Sequence, residues 1–289
     1  MNINHKTKIF GILGGTLSHT LSPLIHNGLF EDIGYDAVYL TFEKANPTKN
    51  FLLSDSQIKI SGLSVTIPHK EWAYSIADKK DETSNYMSSS NTLLVNDNTI
   101  SCFNTDGIGA VKAVEMHSKN FFSKNKGDIL ILGSGGSARG ISYAFLKEND
   151  SRKIVISARN RDKSLELVTI LNGISNSFAE YIPLDKIKSE SKRFSLIINT
   201  TPIGMKDVKE KHLLPKEFIN SKHLIFDIVY NPIKTPLVEM GMKSGAKIIP
   251  GYEMLIRQAM LQFELFTNIT PTEKQIKVVR KRVEKALGI

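Results

Sequence analysis

The stretch "DILILGSGGSARG", Asp128 to Gly140, decides the fold. Ile129 to Leu132 form a continuous apolar run, which suits a strand buried on both faces of a parallel sheet. Gly133, Gly135 and Gly136 follow directly, and "SARGISYAFLKEN" then reads as a helix. In a strand–turn–helix context, glycines let the backbone approach a pyrophosphate and present N–H groups at a positive helix end. The spacing is G-x-G-G, with Gly140 available to pack the helix on the sheet. A tight turn without a ligand would give the same local pattern.

The alternation continues downstream. "KIVISA", "FSLIINTTP", "HLIFDIV" and "AKIIPG" are apolar strands separated by helical stretches such as "KSLELVTILNG". An acidic residue commonly stands at the end of the strand after the glycine turn, where it holds the ribose 2′-hydroxyl of NAD. Here that place is taken by Ala158, Arg159 and Asn160, with Arg161 and Lys163 beyond. An arginine suits the 2′-phosphate of NADP by charge and by its planar fork. The ordinary alternative is an exposed basic loop.

Upstream, a first block runs from Lys8 to Asn104. "KIFGILG" is a strand, and "SPLIHNGLFEDIG" a helix with Ser22 as cap and Pro23 at its first position. "DAVYLTFE" is a strand, "FLLSDSQ" a short helix, "GLSVTIP" a strand with Thr66 inside it, and "KEWAYSIADK" a helix. "SNTLLVNDNTISCFN" is a hairpin turning at Asn96, Asp97 and Asn98. His69 and Lys70 stand just past the strand that Pro68 closes. A lysine there is ordinarily a solvated residue at a helix start. "GIGAVKAVEMHS" is a further helix, for which Asp106 offers an N-cap, and the polar "KNFFSKNKGD" leads into the second block. "GYEMLIRQAMLQFELFT" is a long helix, apolar nearly all round, expected to return and pack on the first block. In the last helix, Thr270, Pro271 and Glu273 suggest a cap, a first-turn proline and a capping-box partner. Ile276, Val279, Val283 and Leu287 share one face.

The chain has 289 residues, 41% of them apolar and 23% charged, which is ordinary for a globular protein of one large or two smaller domains. A single cysteine, Cys102, excludes an internal disulfide and fits a reducing compartment. No zinc ligand set is present, and His26, His69 and His117 lack metal-site spacing, so no metal is expected. Neither a signal peptide nor a membrane span is legible, which points to the cytoplasm and to no membrane partner. The formal charge is +9, but its densest cluster, "KQIKVVRKRVEK", lies on the outer face of a packed helix, so no nucleic-acid partner is expected.

With these residues placed, the chain resembles the shikimate dehydrogenase family along essentially its whole length. The resemblance is carried by "LSHTLSPLIHN", "GLSVTIPHKE", "SSSNTL", "FNTDGIG", "LGSGGSARG", "INTTPIGM", "DIVYNPIKTPL" and "GYEMLIRQAMLQFELF", in the family's order. It implies a two-domain α/β fold. An N-terminal α/β substrate domain, residues 1–104, would be completed by the C-terminal helices, 251–289. A Rossmann-type NADP-binding domain would span 105–250. The implied activity is reversible NADPH-dependent reduction of 3-dehydroshikimate to shikimate in aromatic amino-acid biosynthesis, with a homodimer left open. A quinate/shikimate dehydrogenase that also uses NAD, and a non-catalytic shikimate sensor, are the alternatives.

The resemblance also assigns residues. Lys70 matches the family's catalytic lysine and Asp106 the carboxylate that pairs with it. Ketone reduction places a proton on oxygen, and a positioned ammonium can supply it and stabilise developing alkoxide charge. Thr20 and Ser22 would hold the substrate carboxylate, assisted by Tyr230, while Thr66, Asn91 and Gln258 would meet ring hydroxyls. The implied cofactor contacts are Gly133, Ser134, Gly135, Gly136, Ser137, Arg159, Asn160, Lys163, Thr200, Met205, Ile228 and Gly251. Alone, Ser22 reads equally as a helix cap, Thr66 as a strand residue and Gln258 as a buried helix contact. Thr20 stands where many members have serine, and its methyl could crowd the site or shift preference towards quinate. Ser89 and Ser90 replace the usual smaller pair before Asn91.

Overall fold

The structure is a computed structural model that describes residues 3–53, 59–124, 127–148, 152–174, 179–210 and 213–289. The backbone forms two units, Met1–Thr105 with Ile256–Ile289, and Asp106–Leu255.

The first unit begins with β1 (Lys8–Gly14), α1 (Ser22–Ile33), β2 (Ala37–Glu43), α2 (Asn50–Leu53) and β3 (Ile60–Val65). It continues through α3 (Lys70–Ile76), β4 (Lys79–Lys80), α4 (Glu82–Met87), β5 (Thr92–Asn96) and β6 (Thr99–Phe103). The second half of the expected helix "FLLSDSQ" lies outside the described residues. The sheet order is β2-β1-β3-β5-β6-β4, with β1 parallel to β2 and β3, and β5 antiparallel to both β3 and β6. The β5–β6 hairpin turns through Asp97 (φ 42°) and Asn98 (φ 67°). Two consecutive left-handed residues match the right-handed twist of the strands they join. β3 ends at Val65, two residues earlier than the sequence suggests, which runs the strand to Ile67. Thr66 lies just beyond it, its N–H still donating to Leu13 O at 2.9 Å.

The second unit contains α5 (Asp106–His117), α6 (Phe121–Lys124), β7 (Asp128–Leu132), α7 (Gly136–Lys147), β8 (Ile154–Ser157) and α8 (Arg161–Ile174). β9 (Ala179–Tyr181), β10 (Phe194–Asn199), β11 (Leu224–Asp227), α9 (Pro236–Lys243) and β12 (Lys247–Ile249) complete it. Its six strands are all parallel in the order β12-β11-β10-β7-β8-β9. Read from the other edge, this is the doubly wound dinucleotide-binding order, with its switch point between β7 and β10. Leu130, Leu132, Val155, Ile197 and Ile225 fill one core of this unit. "KNFFSKNKGD" is less polar in practice than in composition. Phe121 and Phe122 of α6 are buried beneath the Arg152 guanidinium, 4.7 and 5.6 Å from the two ring centroids.

Two helices close the chain, α10 (Gly251–Thr267) and α11 (Glu273–Leu287). From Ile256 onward they belong to the first unit, where Phe263 and Phe266 join Phe10, Phe30 and Tyr39 in an aromatic core. α11 is capped by Thr272, which forms a capping box with Gln275, and not by Thr270. Thr270 instead donates to Glu264 at 2.7 Å. Ile276, Val279 and Val283 are the buried face of α11, and Arg282 forks onto Asp32 of α1 at 2.7 and 2.8 Å.

Candidate active site

α1 starts with Leu21 in the cap position and no side-chain cap bond, so Ser22 is its first helical residue and not its cap. The hydroxyl is therefore turned to other partners. Ser22 is 2% exposed and accepts from Thr20 Oγ1 at 3.3 Å. One turn later His26 lies flat against the Tyr39 ring, centroids 4.3 Å apart and planes 9° from parallel. Asn27 brackets the same residue, accepting from Tyr39 N at 2.8 Å and donating to Tyr39 O at 2.9 Å. Burial pushes the imidazole of His26 down to about 3, a contact with Gln262 opposing it weakly, and burial pushes the Tyr39 phenol up.

From Tyr39 a buried polar chain runs through the unit. Its hydroxyl donates to Ser64 Oγ (2.6 Å), and Ser64 donates to Gln262 Oε1 (2.8 Å). Gln262 Nε2 donates to Asn91 O and to Thr92 Oγ1, both at 3.1 Å. The Asn91 amide accepts from Thr105 N (2.8 Å) and donates to Gln258 Oε1 (3.0 Å) and Thr105 Oγ1 (2.9 Å). Tyr39, Ser64, Gln262, Asn91 and Gln258 are thus tied into one network, and buried polar networks fix side-chain geometry. Tyr39 and Gln262 were not singled out from the sequence. Their links span 25 and 198 residues, and no local spacing marks them.

Lys70 is the first residue of α3 and is half-buried. His69 fixes the turn before it: its N–H donates to Thr66 O (2.9 Å), and its Nε2 lies 2.6 Å from Lys44 O. His69 is therefore a core histidine. Lys70 O accepts from Ser90 N at 3.0 Å, so the strand-end turn and the Ser89–Ser90 segment are joined. Ser90 donates to Ser84 Oγ (2.8 Å), and Ser89 O accepts from Asn104 (2.9 Å). Both serines are fully buried, and while the Ser90 hydroxyl is bonded to Ser84, the Ser89 hydroxyl has no hydrogen-bond partner among the described residues. Cys102, also buried, has its thiol pushed up chiefly by burial.

In the second unit Asp106 opens α5 and is 5% exposed. An acid in the first turn is favourably placed against the helix dipole. Gly107 sits on α7 so closely that a Cβ there would lie 2.2 Å from Gly140 O. Gly140 therefore serves contact with α5, where the sequence suggested helix–sheet packing.

The glycine turn stands at the switch point. Gly133 has φ +121°, and a Cβ there would meet Thr200 Oγ1 at 2.5 Å. Thr200, just past β10, donates its hydroxyl to Leu132 O at 2.7 Å. The N-terminus of α7 has no side-chain cap bond at Gly135, and a Cβ on Gly135 would meet nothing within 4 Å. Ser134 beside them is buried and Ser137 lies in the first turn of α7. A helix N-terminus without a side-chain cap, with room beside the Gly135 backbone, fits a dinucleotide pyrophosphate. At the end of β8, Arg159 is exposed and pairs with Glu210 at 2.7 Å. Asn160 accepts from Lys163 N at 2.9 Å, which caps α8 and places Lys163 in its first turn. Glu210 escaped the sequence reading because 51 residues separate it from Arg159.

The loop after β11 is organised by Asp227, which is fully buried. Its carboxylate accepts from Thr235 Oγ1 (2.6 Å), Asn199 Nδ2 (2.9 Å) and Val229 N (3.0 Å). Burial pushes it up to about 6, against the pull of those three donors. This ties the loop holding Ile228 and half-buried Tyr230 to the end of β10, from which the turn bearing Met205 departs. Met205 is 45% exposed. Gly251 is forced by close approach, since a Cβ would lie 2.5 Å from Asp227 O and 2.6 Å from Val229 O. Among the described residues no group of His, Cys, Asp and Glu could hold a metal ion, and no helix is long and apolar enough to cross a membrane.

The chain is similar to known proteins along nearly its whole length. A family profile described as "Shikimate dehydrogenase substrate binding domain" matches residues 12–93, and one described as "Shikimate 5'-dehydrogenase C-terminal domain" matches residues 251–284. A Leptospira interrogans protein named shikimate dehydrogenase (NADP(+)) is 45% identical over 284 residues, 98% of this chain and 97% of its own. A protein of the same name from Methanosphaera stadtmanae is 35% identical, covering 93% of this chain and 95% of its own. Among solved structures, a shikimate dehydrogenase in complex with NADP+ superposes with a TM-score of 0.87 at 30% identity, covering 99% of this chain and 98% of its own. The Thermus thermophilus enzyme in complex with NADP(H) and shikimate gives 0.81 at 25% identity, over 96% of this chain and 100% of its own. With such identity along nearly its full length, and with the paired α/β sheets and glycine turn described above, the chain belongs to the NADP-dependent shikimate dehydrogenase family.

Proposed function

We propose that the chain catalyses the reversible NADPH-dependent reduction of 3-dehydroshikimate to shikimate. The observation that carries this reading is the buried network joining Asn91 and Gln258, which are 167 residues apart and hydrogen-bonded to each other at 3.0 Å. Such an array supports a polyhydroxylated acid held at several points, with Ser22 and Thr20 donating to its carboxylate and Asn91, Thr66 and Gln258 to its ring hydroxyls. Tyr230 adds a further hydroxyl donor for the carboxylate.

When bound, the nicotinamide cofactor supplies the hydride. Lys70 delivers the proton to the carbonyl oxygen and offsets the developing alkoxide charge, and Asp106 shares in the proton step as the second member of the pair. The α7 N-terminus with Gly133, Ser134, Gly135, Gly136 and Ser137 holds the pyrophosphate. Arg159 reads the 2′-phosphate, with Asn160 and Lys163 beside it. Thr200, Met205, Ile228 and Gly251 shape the nicotinamide end. In this reading residues 1–104 with 251–289 are the substrate domain and 105–250 the NADP domain.

The test is NADP+ reduction followed at the NADPH absorbance with shikimate as substrate, beside quinate and NAD+ as comparators. Turnover is expected with shikimate and NADP+ at the highest kcat/KM of the four pairings. Absence of turnover would support a non-catalytic binder, and a higher kcat/KM with quinate and NAD+ would overturn the assignment.

A further inference from the structure

Arg159 has an acidic partner within its own unit, Glu210, with Nη1 2.7 Å from Oε1. The two residues come from different parts of the sheet. β8 and β10 both flank β7, so their ends stand two strand spacings apart, about 9–10 Å. Arg159 follows β8, and Glu210 lies on the loop that follows β10. That loop starts against the glycine turn. Thr200 donates to Leu132 O at 2.7 Å, and a Cβ on Gly133 would lie 2.5 Å from Thr200 and 3.1 Å from Thr201. It then winds through two tight turns, Met205 N donating to Pro202 O (3.0 Å) and Val208 N to Met205 O (3.2 Å). The ion pair thus joins the two loops across the end of β7, on the edge along which a dinucleotide lies in this fold.

The pair is open to exchange. The side chains of Arg159 and Glu210 are 70% and 56% exposed, and an exposed pair is held weakly in water. The guanidinium donors that meet a carboxylate also suit a phosphate. A phosphate monoester carries close to two negative charges and can displace a carboxylate from them. A ribose hydroxyl is uncharged and cannot.

We propose that Glu210 is a specificity-determining residue for the cofactor, competing with the 2′-phosphate of NADP for Arg159 and so lowering the preference for NADP over NAD. The proposal rests on the reading of Arg159 as the 2′-phosphate contact. NADP must take the guanidinium from Glu210, which weakens its binding. NAD carries a hydroxyl at that position and leaves the pair in place. No covalent bond changes.

Glu210→Gln keeps the shape of the side chain and removes its charge. In calorimetric titrations its Kd for NADP+ should fall about two- to fivefold, the range of an exposed ion pair, while its Kd for NAD+ stays unchanged. Because Glu210 acts through Arg159, the gain should be lost when Arg159→Ala is added. An unchanged or raised Kd for NADP+ in Glu210→Gln would overturn the proposal. So would an equal gain with both cofactors, or a full gain in the Arg159→Ala background. If Arg159→Ala alone weakens NADP+ and NAD+ alike, the 2′-phosphate reading fails and the proposal with it. That outcome is separable, since a failure of Glu210 alone would leave the NADP+-selective loss in Arg159→Ala intact.

Discussion

Lys70 is fixed at its backbone before its side chain is considered. The turn from Thr66 is closed by His69, and the Lys70 carbonyl is bound by Ser90. A side chain anchored this way loses little by deletion except its ammonium. Lys70→Ala should therefore lower kcat by roughly 10²–10⁴-fold, the range for general acid–base groups, with a smaller change in KM. Steady-state kinetics with shikimate and NADP+ checks this, and near-normal kcat would remove Lys70 from the proton step. Arg159 is the opposite kind of residue, exposed and paired with Glu210. Exposed pairs contribute about 0–1 kcal/mol, so Glu210 is a weak competitor for a phosphate. Arg159→Ala should raise KM for NADP+ much more than for NAD+. Equal losses with both cofactors in paired titrations would show that it does not read the 2′-phosphate.

The turn between β7 and α7 makes two of its glycines separable. Gly133→Ala places a Cβ at φ +121° against Thr200, so both the melting temperature and cofactor affinity should fall. Gly135→Ala puts its methyl into open space, so the fold should be unaffected while NADP+ binding weakens. Calorimetric titration beside a thermal melt distinguishes them, and unchanged binding in Gly135→Ala would move the pyrophosphate elsewhere. This turn was legible in the sequence because its chemistry is local: glycines, a preceding apolar run and a following helix lie within thirteen residues. The hairpin at Asp97–Asn98 was legible for the same reason. Helix starts were harder. Thr270 with Glu273 and Thr272 with Gln275 both satisfy the capping-box spacing, and only the path of the chain after α10 selects the second. Likewise Ser22 beside Pro23 looks like a cap until Leu21 is seen to occupy that place. The polar chain through Tyr39, Ser64 and Gln262 had no local signature at all, since its partners meet only when the last helices join the first sheet of their unit.

For the molecule as a whole, two buried titratable groups set opposing acid responses. His26, lowered to about 3 by burial, stays neutral in the folded chain while the unfolded chain takes up a proton near its usual 6.5. Stability is therefore lost as pH falls from about 6.5 towards 3, by an amount of order a few kcal/mol. Asp227, raised to about 6 chiefly by burial, holds its proton in the folded chain where the unfolded carboxyl, near 3.8, has lost it. Its contribution is full below 3.8 and lost as pH rises to about 6. Between these limits the two slopes oppose each other, so the wild-type melting temperature should change little there. His26→Phe should then become more stable, relative to neutral pH, as the pH falls across that interval, and thermal melts at closely spaced pH values check it. A parallel fall in both proteins would place the acid sensitivity elsewhere. Asn27 has a consequence beyond its grip on Tyr39. β2 is the outermost strand of its sheet, and an outer strand is a template on which another polypeptide can aggregate. By taking both backbone groups of Tyr39, the Asn27 amide acts as a one-residue imitation of the missing neighbour, and it denies a foreign strand its foothold at that point.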